Sequence, residues 1–371
     1  MKSIASTVAI SCLLLTLTAC GPVEKAPSNG DKSADKKDDQ PVVTGDDAAL
    51  IERIKTVATD VKLDGEGFVV EVSFREVENF EASMLEKLVG LKRVRSVLLN
   101  GTAAGDDAMA VLGKIPTLQN IDIRGCQVSN DGLEHVAGLA ALKALRISGN
   151  EDIDGDGLAP VRKLENLKAL MLDQLWLYDE DLLHLKNCKN LEELYLSDTS
   201  VGDDGMLNLQ NLLKLKKLRI SKTQVSNDGL AHLTKVPTLT ELDVSECSLI
   251  DDGGMTHVGA LTGLTRLNLW RVQITDAGVA PLASLVNMQW LNLDNSLLSD
   301  AGLPHLKDMK ALTFLHLGST GVTDAGMKHL EGLTSLKDLK VTRTGVTEDG
   351  VAALKKKLPN TEIQLKYIPS E

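Results

Sequence analysis

Metal chemistry is the first possibility that the residue types in this chain raise. Asp152, Asp154, Asp156 and Gly157 stand at the Asp-x-Asp-x-Asp-Gly spacing that opens a calcium loop. Such a loop needs a bidentate Glu at its twelfth position, and Lys163 stands there instead. An ammonium cannot ligate a cation, so the segment reads as an acidic surface turn. Six histidines, His135, His184, His232, His257, His305 and His329, recur at one equivalent position just before a core leucine or valine. Copies in neighbouring repeats would lie about 10 Å apart, too far to share a zinc ion at roughly 2.0–2.1 Å. Cys126 and Cys247 hold one repeat position five units apart, about 24 Å along a sheet, and Cys188 belongs to a helix segment. Disulfides need Cα atoms within about 7 Å, so all three read as buried thiols. Paired acids such as Asp203-Asp204 and Asp251-Asp252 recur where helices would begin and read as caps. No Ser/His/Asp set, phosphate-cradling glycine loop or convergent carboxylate pair stands outside the repeated consensus. The sequence therefore nominates no catalytic residue, no metal site and no cofactor.

Aromatic residues give a sharper signal. They make up 3% of the chain, yet Trp270, Trp290, Phe314 and the imidazole of His316 fall within three consecutive repeats. Asn268, Asn292, Asp294 and Asn295 lie between them. Trp, Tyr and Arg dominate interface hot spots because they bury a large area at small entropic cost, so this cluster predicts a binding patch. Trp176 and Tyr178 form a second, smaller pair on a loop.

The elements that must position these residues come from a period of 24 residues, lengthened to 25 in three units. The first apolar residue of each unit falls at Val69, Val94, Leu118, Leu142, Leu167, Leu191, Leu215, Leu239, Leu264, Met288, Leu312 and Leu336. In each unit Leu-x-x-Leu-x-Leu has the two-residue alternation of a short strand. A Ser/Thr-Asp or Ser-Asn pair follows, able to cap a helix, and then apolar residues at three-residue spacing. One strand and one short helix cannot bury enough surface to offset the ordering of 24 residues, so the units must stack on a shared core with one parallel sheet. The expected class is α/β, with the sheet on the concave face and short helices on the convex face.

Outward residues of successive strands then form columns about 5 Å apart. The third strand position reads Glu193, Lys217, Glu241, Arg266; the fifth reads Tyr195, Arg219, Asp243, Asn268; the eighth reads Asp198, Lys222, Glu246, Arg271. Their alternating signs predict lateral ion pairs, worth about 0.2–1 kcal/mol each, that set register more than stability. The predicted ligand-binding set joins this ladder to the aromatic cluster: Tyr195, Arg219, Asp243, Arg266, Asn268, Trp270, Arg271, Trp290, Asn292, Asp294, Phe314 and His316.

The unit resembles leucine-rich repeats of the type with Thr, Asn or Cys in the turn after the strand: Thr102, Cys126, Asn150, Thr199, Thr223, Cys247, Ser296, Thr320 and Thr344, with departures at Leu175 and Val272. It is similar to bacterial extracytoplasmic repeat proteins built from Thr-Asp-x-Gly-Leu units, and the resemblance implies a solenoid that binds a protein or peptide on its concave face. Glycan or cell-wall binding through the tryptophans, and a passive envelope spacer, remain alternatives.

The N-terminus resembles a bacterial lipoprotein signal. Residues 1–19 hold Lys2, an apolar run too short to span a bilayer and the box Leu17-Thr18-Ala19-Cys20, which implies lipidation of Cys20. Residues 20–45 are rich in Pro, Gly, Ser, Lys and Asp, the composition of a disordered stalk. Residues 46–68 are expected to cap the array, with Leu50, Ile51, Ile54 and Val57 on one helical face; 69–359 hold about twelve repeats; and 360–371 supply a closing strand and tail. The implied location is extracytoplasmic, on a cell-envelope membrane through the lipid alone. The formal charge of -12 disfavours phosphate backbones, so nucleic acid is not an expected partner.

Overall fold

A computed structural model describes residues 45–366. Cys20 and the rest of the proposed signal and stalk lie outside the described residues. The described chain is a leucine-rich-repeat solenoid in which fourteen strands form one sheet in strict chain order. From the strand Val69–Ser73 onward, every strand pairs in parallel with the next. The period fixes the register: Leu194, Leu218, Leu242, Leu267, Leu291, Leu315 and Leu339 are side-by-side partners. Each is buried, while its two strand neighbours face the concave side.

The turn after each strand holds a residue with left-handed backbone. It is glycine at Gly101, Gly125 and Gly149, but elsewhere Glu76, Gln174, Asp198, Lys222, Glu246, Arg271, Asn295, Ser319 and Arg343, with φ between 52 and 60°. Side chains rarely adopt this conformation, which costs roughly 1–2 kcal/mol per residue. The rung hydrogen bonds compensate by running through the turn, as in Asp198 N–H to the Ser221 carbonyl at 2.9 Å and Glu246 N–H to the Trp270 carbonyl at 2.8 Å. The eighth repeat position thus forms the rim where strand becomes loop, a correction to its reading as a third strand column. Just inside it, the hydroxyls of Thr199, Thr223, Ser296 and Thr320 donate to the carbonyl three residues back. Cys247 reaches into the previous unit, its thiol 3.0 Å from the Ile220 carbonyl.

On the convex side the segments mix α-helix, as in Asn227–Leu233 and Asp252–Gly259, with 3-10 helix, as in Asp156–Lys163 and Asp179–Asn187. The three-residue apolar spacing explains the mixture, since a helix with three residues per turn buries Leu182, Leu185 and Cys188 on one line.

The repeated Asp does not act as a local cap alone. Asp203, Asp252, Asp276 and Asp300 each accept the backbone N–H and the hydroxyl of Ser226, Thr275, Ser299 and Thr323 in the following unit, at 2.6–2.8 Å. Asp203 and Asp252 are therefore staples between units, whereas Asp251 does cap, accepting the Gly253 N–H at 2.8 Å. The consensus Gly of the next unit is required because a Cβ at Gly229, Gly278, Gly302 or Gly326 would overlap the stapling carboxylate. Hydrogen bonds of this kind from Thr347 hold the Asp324 carboxyl below the usual carboxylate range.

One pair of units inverts the arrangement. Gly155 occupies the staple position and Asp181 the glycine position of the next unit. A Cβ on Gly155 would overlap the Asp181 carboxylate, which accepts the Tyr178 N–H at 2.8 Å. The N–H normally satisfied from the preceding unit is here satisfied from its own. Burial and the nearby Glu180 and Asp154 raise the Asp181 carboxyl above its ordinary range.

Both ends are closed. The helix Ala48–Lys55 buries Ile51 and Ile54, with Leu50 and Val57 partly buried. It ends at Lys55 and does not continue through Val57; the chain resumes as the strand Asp60–Leu63, antiparallel to Val69–Ser73. The strands of the repeats thus form the expected parallel sheet, and the cap adds one antiparallel strand at its edge. At the other end the strand Glu362–Gln364 pairs in parallel with Asp338–Lys340.

Candidate functional site

Across the middle strands the concave charges pair laterally. Lys217 Nζ lies 3.1 Å from Glu193 and 3.8 Å from Glu241, Arg266 Nε lies 3.6 Å from Glu241, and Arg219 Nε lies 3.5 Å from Asp243. At the rim, Arg271 reaches Glu246 at 2.9 Å and Lys222 reaches Asp198 at 3.9 Å. The hydrogen bond that it donates to the Glu193 carboxylate raises the Lys217 ammonium above its ordinary value.

The ladder passes into a continuous stack of rings and cations. The rings of Trp290 and Phe314 lie face to face, 4.9 Å apart and 5° from parallel, because their strands place them as direct partners. The guanidinium of Arg266 covers the Trp290 ring at 4.6 Å, and Lys340 Nζ lies 5.6 Å from the Phe314 centroid. His316 meets Phe314 edge to face at 6.3 Å. Burial pushes its imidazole below the ordinary value and Lys340 adds to this, against the opposing carboxylates of Asp294 and Asp338. Trp270 does not join the stack. It sits after its strand with its ring under the Arg271 guanidinium at 4.7 Å, while its backbone N–H donates to Asn268 Oδ1 at 3.2 Å. Asn268 Oδ1 also accepts from Asn292 at 3.0 Å.

Three depressions take nine of the twelve predicted ligand-binding residues, while Arg271, Asn292 and Phe314 line none of the three. The best formed, about 260 Å³, is lined by Tyr195, Arg219, Asp243, Arg266, Asn268 and Trp290 together with Lys217 and Glu241. It carries three cations against two carboxylates, and burial raises the Tyr195 phenol. A smaller hollow of about 140 Å³ holds Asp294, His316, Ser319 and Lys340. Trp270 belongs to a shallow groove along the rim with Arg219, Lys222, Asp243 and Glu246. Column reading in the sequence missed Lys340, although it occupies the same repeat position as His316 one unit later.

Elsewhere the chemistry stays structural. Asp154 Oδ1 accepts from Asn130 at 2.7 Å and from the Asp156 N–H at 3.0 Å, the geometry of a turn. Among the described residues no group of three or more His, Cys, Asp or Glu could hold a metal ion. Cys126, Cys188 and Cys247 are unpaired and buried, and burial pushes the Cys188 thiol up to about 11. A thiol so poorly ionised is not a nucleophile near neutral pH.

The Leucine Rich repeat family matches at residues 187–209 and 237–256. No curated protein matches the sequence. The fold is similar to that of an internalin (inlF) from Listeria monocytogenes, with a TM-score of 0.64, 18% identity, and coverage of 88% of this chain and 97% of that one. The plant peptide hormone receptor RGFR1 gives 0.47 at 13% identity, covering 83% and 60% of the two chains. An internalin C2 from L. monocytogenes gives 0.47 at 21%, covering 64% and 92%.

Proposed function

We propose that this protein is a lipid-anchored extracytoplasmic recognition module that binds a protein or peptide on the concave face of its repeat array. The observation that carries the reading is the Arg266–Trp290–Phe314–Lys340 stack, whose first two members, Arg266 and Trp290, line the 260 Å³ depression. Its rings are held in place before any ligand arrives, so little side-chain entropy remains to be lost on binding. Aromatic anchors beside Arg and Asn groups are the composition of interface hot spots. The excess of one cation in the depression suits a segment that presents an apolar side chain next to a carboxylate. Lipid attachment at Cys20 rests on the sequence box, and acyl chains there would tether the array to an envelope membrane.

The test is crosslinking capture from native envelope by the wild-type protein and by a Trp290→Ala/Phe314→Ala variant. The reading expects one stoichiometric partner that the variant loses while its circular dichroism stays native. Equal capture by both forms would remove the concave face from consideration, and capture of purified wall polymer alone would favour the glycan alternative.

A further inference from the structure

Five aromatic rings of this protein, buried Phe68 and four half-buried ones, each lie under one of its own cations. Arg93 lies over Phe68, Arg219 over Tyr195, Arg266 over Trp290, Arg271 over Trp270 and Lys340 over Phe314, at 3.9–5.6 Å. Trp176 and Tyr178 differ: among the described residues neither ring has a cation over it. Among the described residues they are also the most open aromatics, 65% and 51% exposed. They sit in the unit beginning at Leu167, which departs from the repeat at three neighbouring positions: Leu175 replaces the turn Thr, Tyr178 the Ser or Thr of the N-cap, and Asp181 the glycine. The Trp176 backbone is fixed by a parallel bridge to Asp154, so the ring stands on an ordered edge.

In front of the ring lies a groove of about 730 Å³, lined by Glu151, Gln174, Trp176, Asp198, Lys222 and Gln224. The amides of Gln174 and Gln224 make no hydrogen bond among the described residues. The surrounding charge is one-sided: residues 150–161, 173–183 and 197–213 carry eleven Asp or Glu and no Lys or Arg. The nearest cation, Lys222, is drawn to Asp198 at 3.9 Å. An aromatic face attracts cations through its quadrupole, and the surrounding carboxylates add a field of the same sense.

We propose that this edge is a second docking surface, separate from the strand face, that takes a basic segment of a partner protein. An Arg or Lys side chain would lie across Trp176, with the carboxylates of Glu151 and Asp198 around it and the two glutamine amides bonding the partner's backbone. The ligand supplies the cation that the chain itself supplies to five of its other rings. A second copy of this chain is a poor occupant, because it would bring an equally acidic edge, and polyanions are repelled for the same reason.

The test is calorimetry of the purified full chain with an acetylated, amidated hexapeptide of alternating Arg and Gly. A Glu-Gly hexapeptide and chitotriose serve as controls. Saturable binding of the Arg-Gly peptide is expected, weakened at least tenfold by Trp176→Ala and about tenfold by Glu151→Gln/Asp198→Asn. Trp176→Phe should retain most of it, and Trp290→Ala/Phe314→Ala should leave it within about twofold, which separates this surface from the concave one. Affinity unchanged in Trp176→Ala, equal binding of either control, or no saturable heat with the Arg-Gly peptide would overturn the proposal.

Discussion

The strand face and the loop edge of the unit at Leu167 display the same kinds of side chain in opposite states. On the strand face, Trp290 and Phe314 stack on each other and are bracketed by Arg266 and Lys340. On the edge, Trp176 stands open above carboxylates. Aromatic content alone does not separate a ring that braces the fold from one free for a partner. What separates them is whether the chain provides the complementary charge itself. The strand-face depression carries an excess of cation and the edge an excess of acid, so the two surfaces suit ligands of opposite charge.

Four tests would break or sharpen this contrast, the one with the largest effect first. Gly155→Asp should destabilise the protein by about 2–3 kcal/mol, because the new carboxylate overlaps that of Asp181. Asp181→Gly alone should cost about 1.5 kcal/mol, through loss of its bond from the Tyr178 N–H. The double variant should return close to wild type, with the ordinary staple restored. Urea melts of the four forms check this, and strictly additive losses would mean that the inverted pair is incidental. Next, Trp290→Ala should cost about 1–2 kcal/mol through loss of its ring and cation contacts, while Trp176→Ala should change stability by no more than about 0.5 kcal/mol. Equal effects in thermal melts would erase the distinction between bracing and open rings. At the rim beside His316, Ser319→Gly should raise the melting temperature and stabilise by up to about 1 kcal/mol, since glycine adopts the positive φ without strain.

The smallest effect concerns His316. Its folded imidazole titrates below the ordinary value of about 6.5, so between the two values the unfolded chain binds more protons and stability rises with pH. The His316 contribution is therefore present above about pH 6.5 and is lost as pH falls from there toward the folded value. NMR titration should show Lys340→Met raising the midpoint and Asp294→Asn lowering it further; the reverse order would contradict the contacts described.

Much of the architecture was legible because its signal repeats. The leucines from Leu194 to Leu339 recur at a spacing that only stacked strands explain, and the same spacing placed Trp290 beside Phe314 and Arg219 beside Asp243. What escaped depends on conformation or on partners in another unit. The left-handed turn is hidden where it holds Glu246 or Arg271, and only Gly101, Gly125 and Gly149 hint at it. Asp203 and Asp252 look like local caps in the sequence, because a carboxylate near a helix start can serve its own turn or the next unit equally well. The exchange of Gly155 and Asp181 becomes visible only when two units are compared at the contact between them. Lys340 escaped because the column reading followed aromatic residues and stopped at His316, one unit short. The strand Asp60–Leu63 lies outside the period altogether.

Capture by three forms in parallel tests the central claim most directly: wild type, Trp290→Ala/Phe314→Ala and Trp176→Ala, each crosslinked in native envelope. Recognition through the strand face predicts one protein recovered in fixed ratio with wild type, absent from the double variant and still captured by Trp176→Ala. The same protein recovered at undiminished yield with the double variant would contradict it.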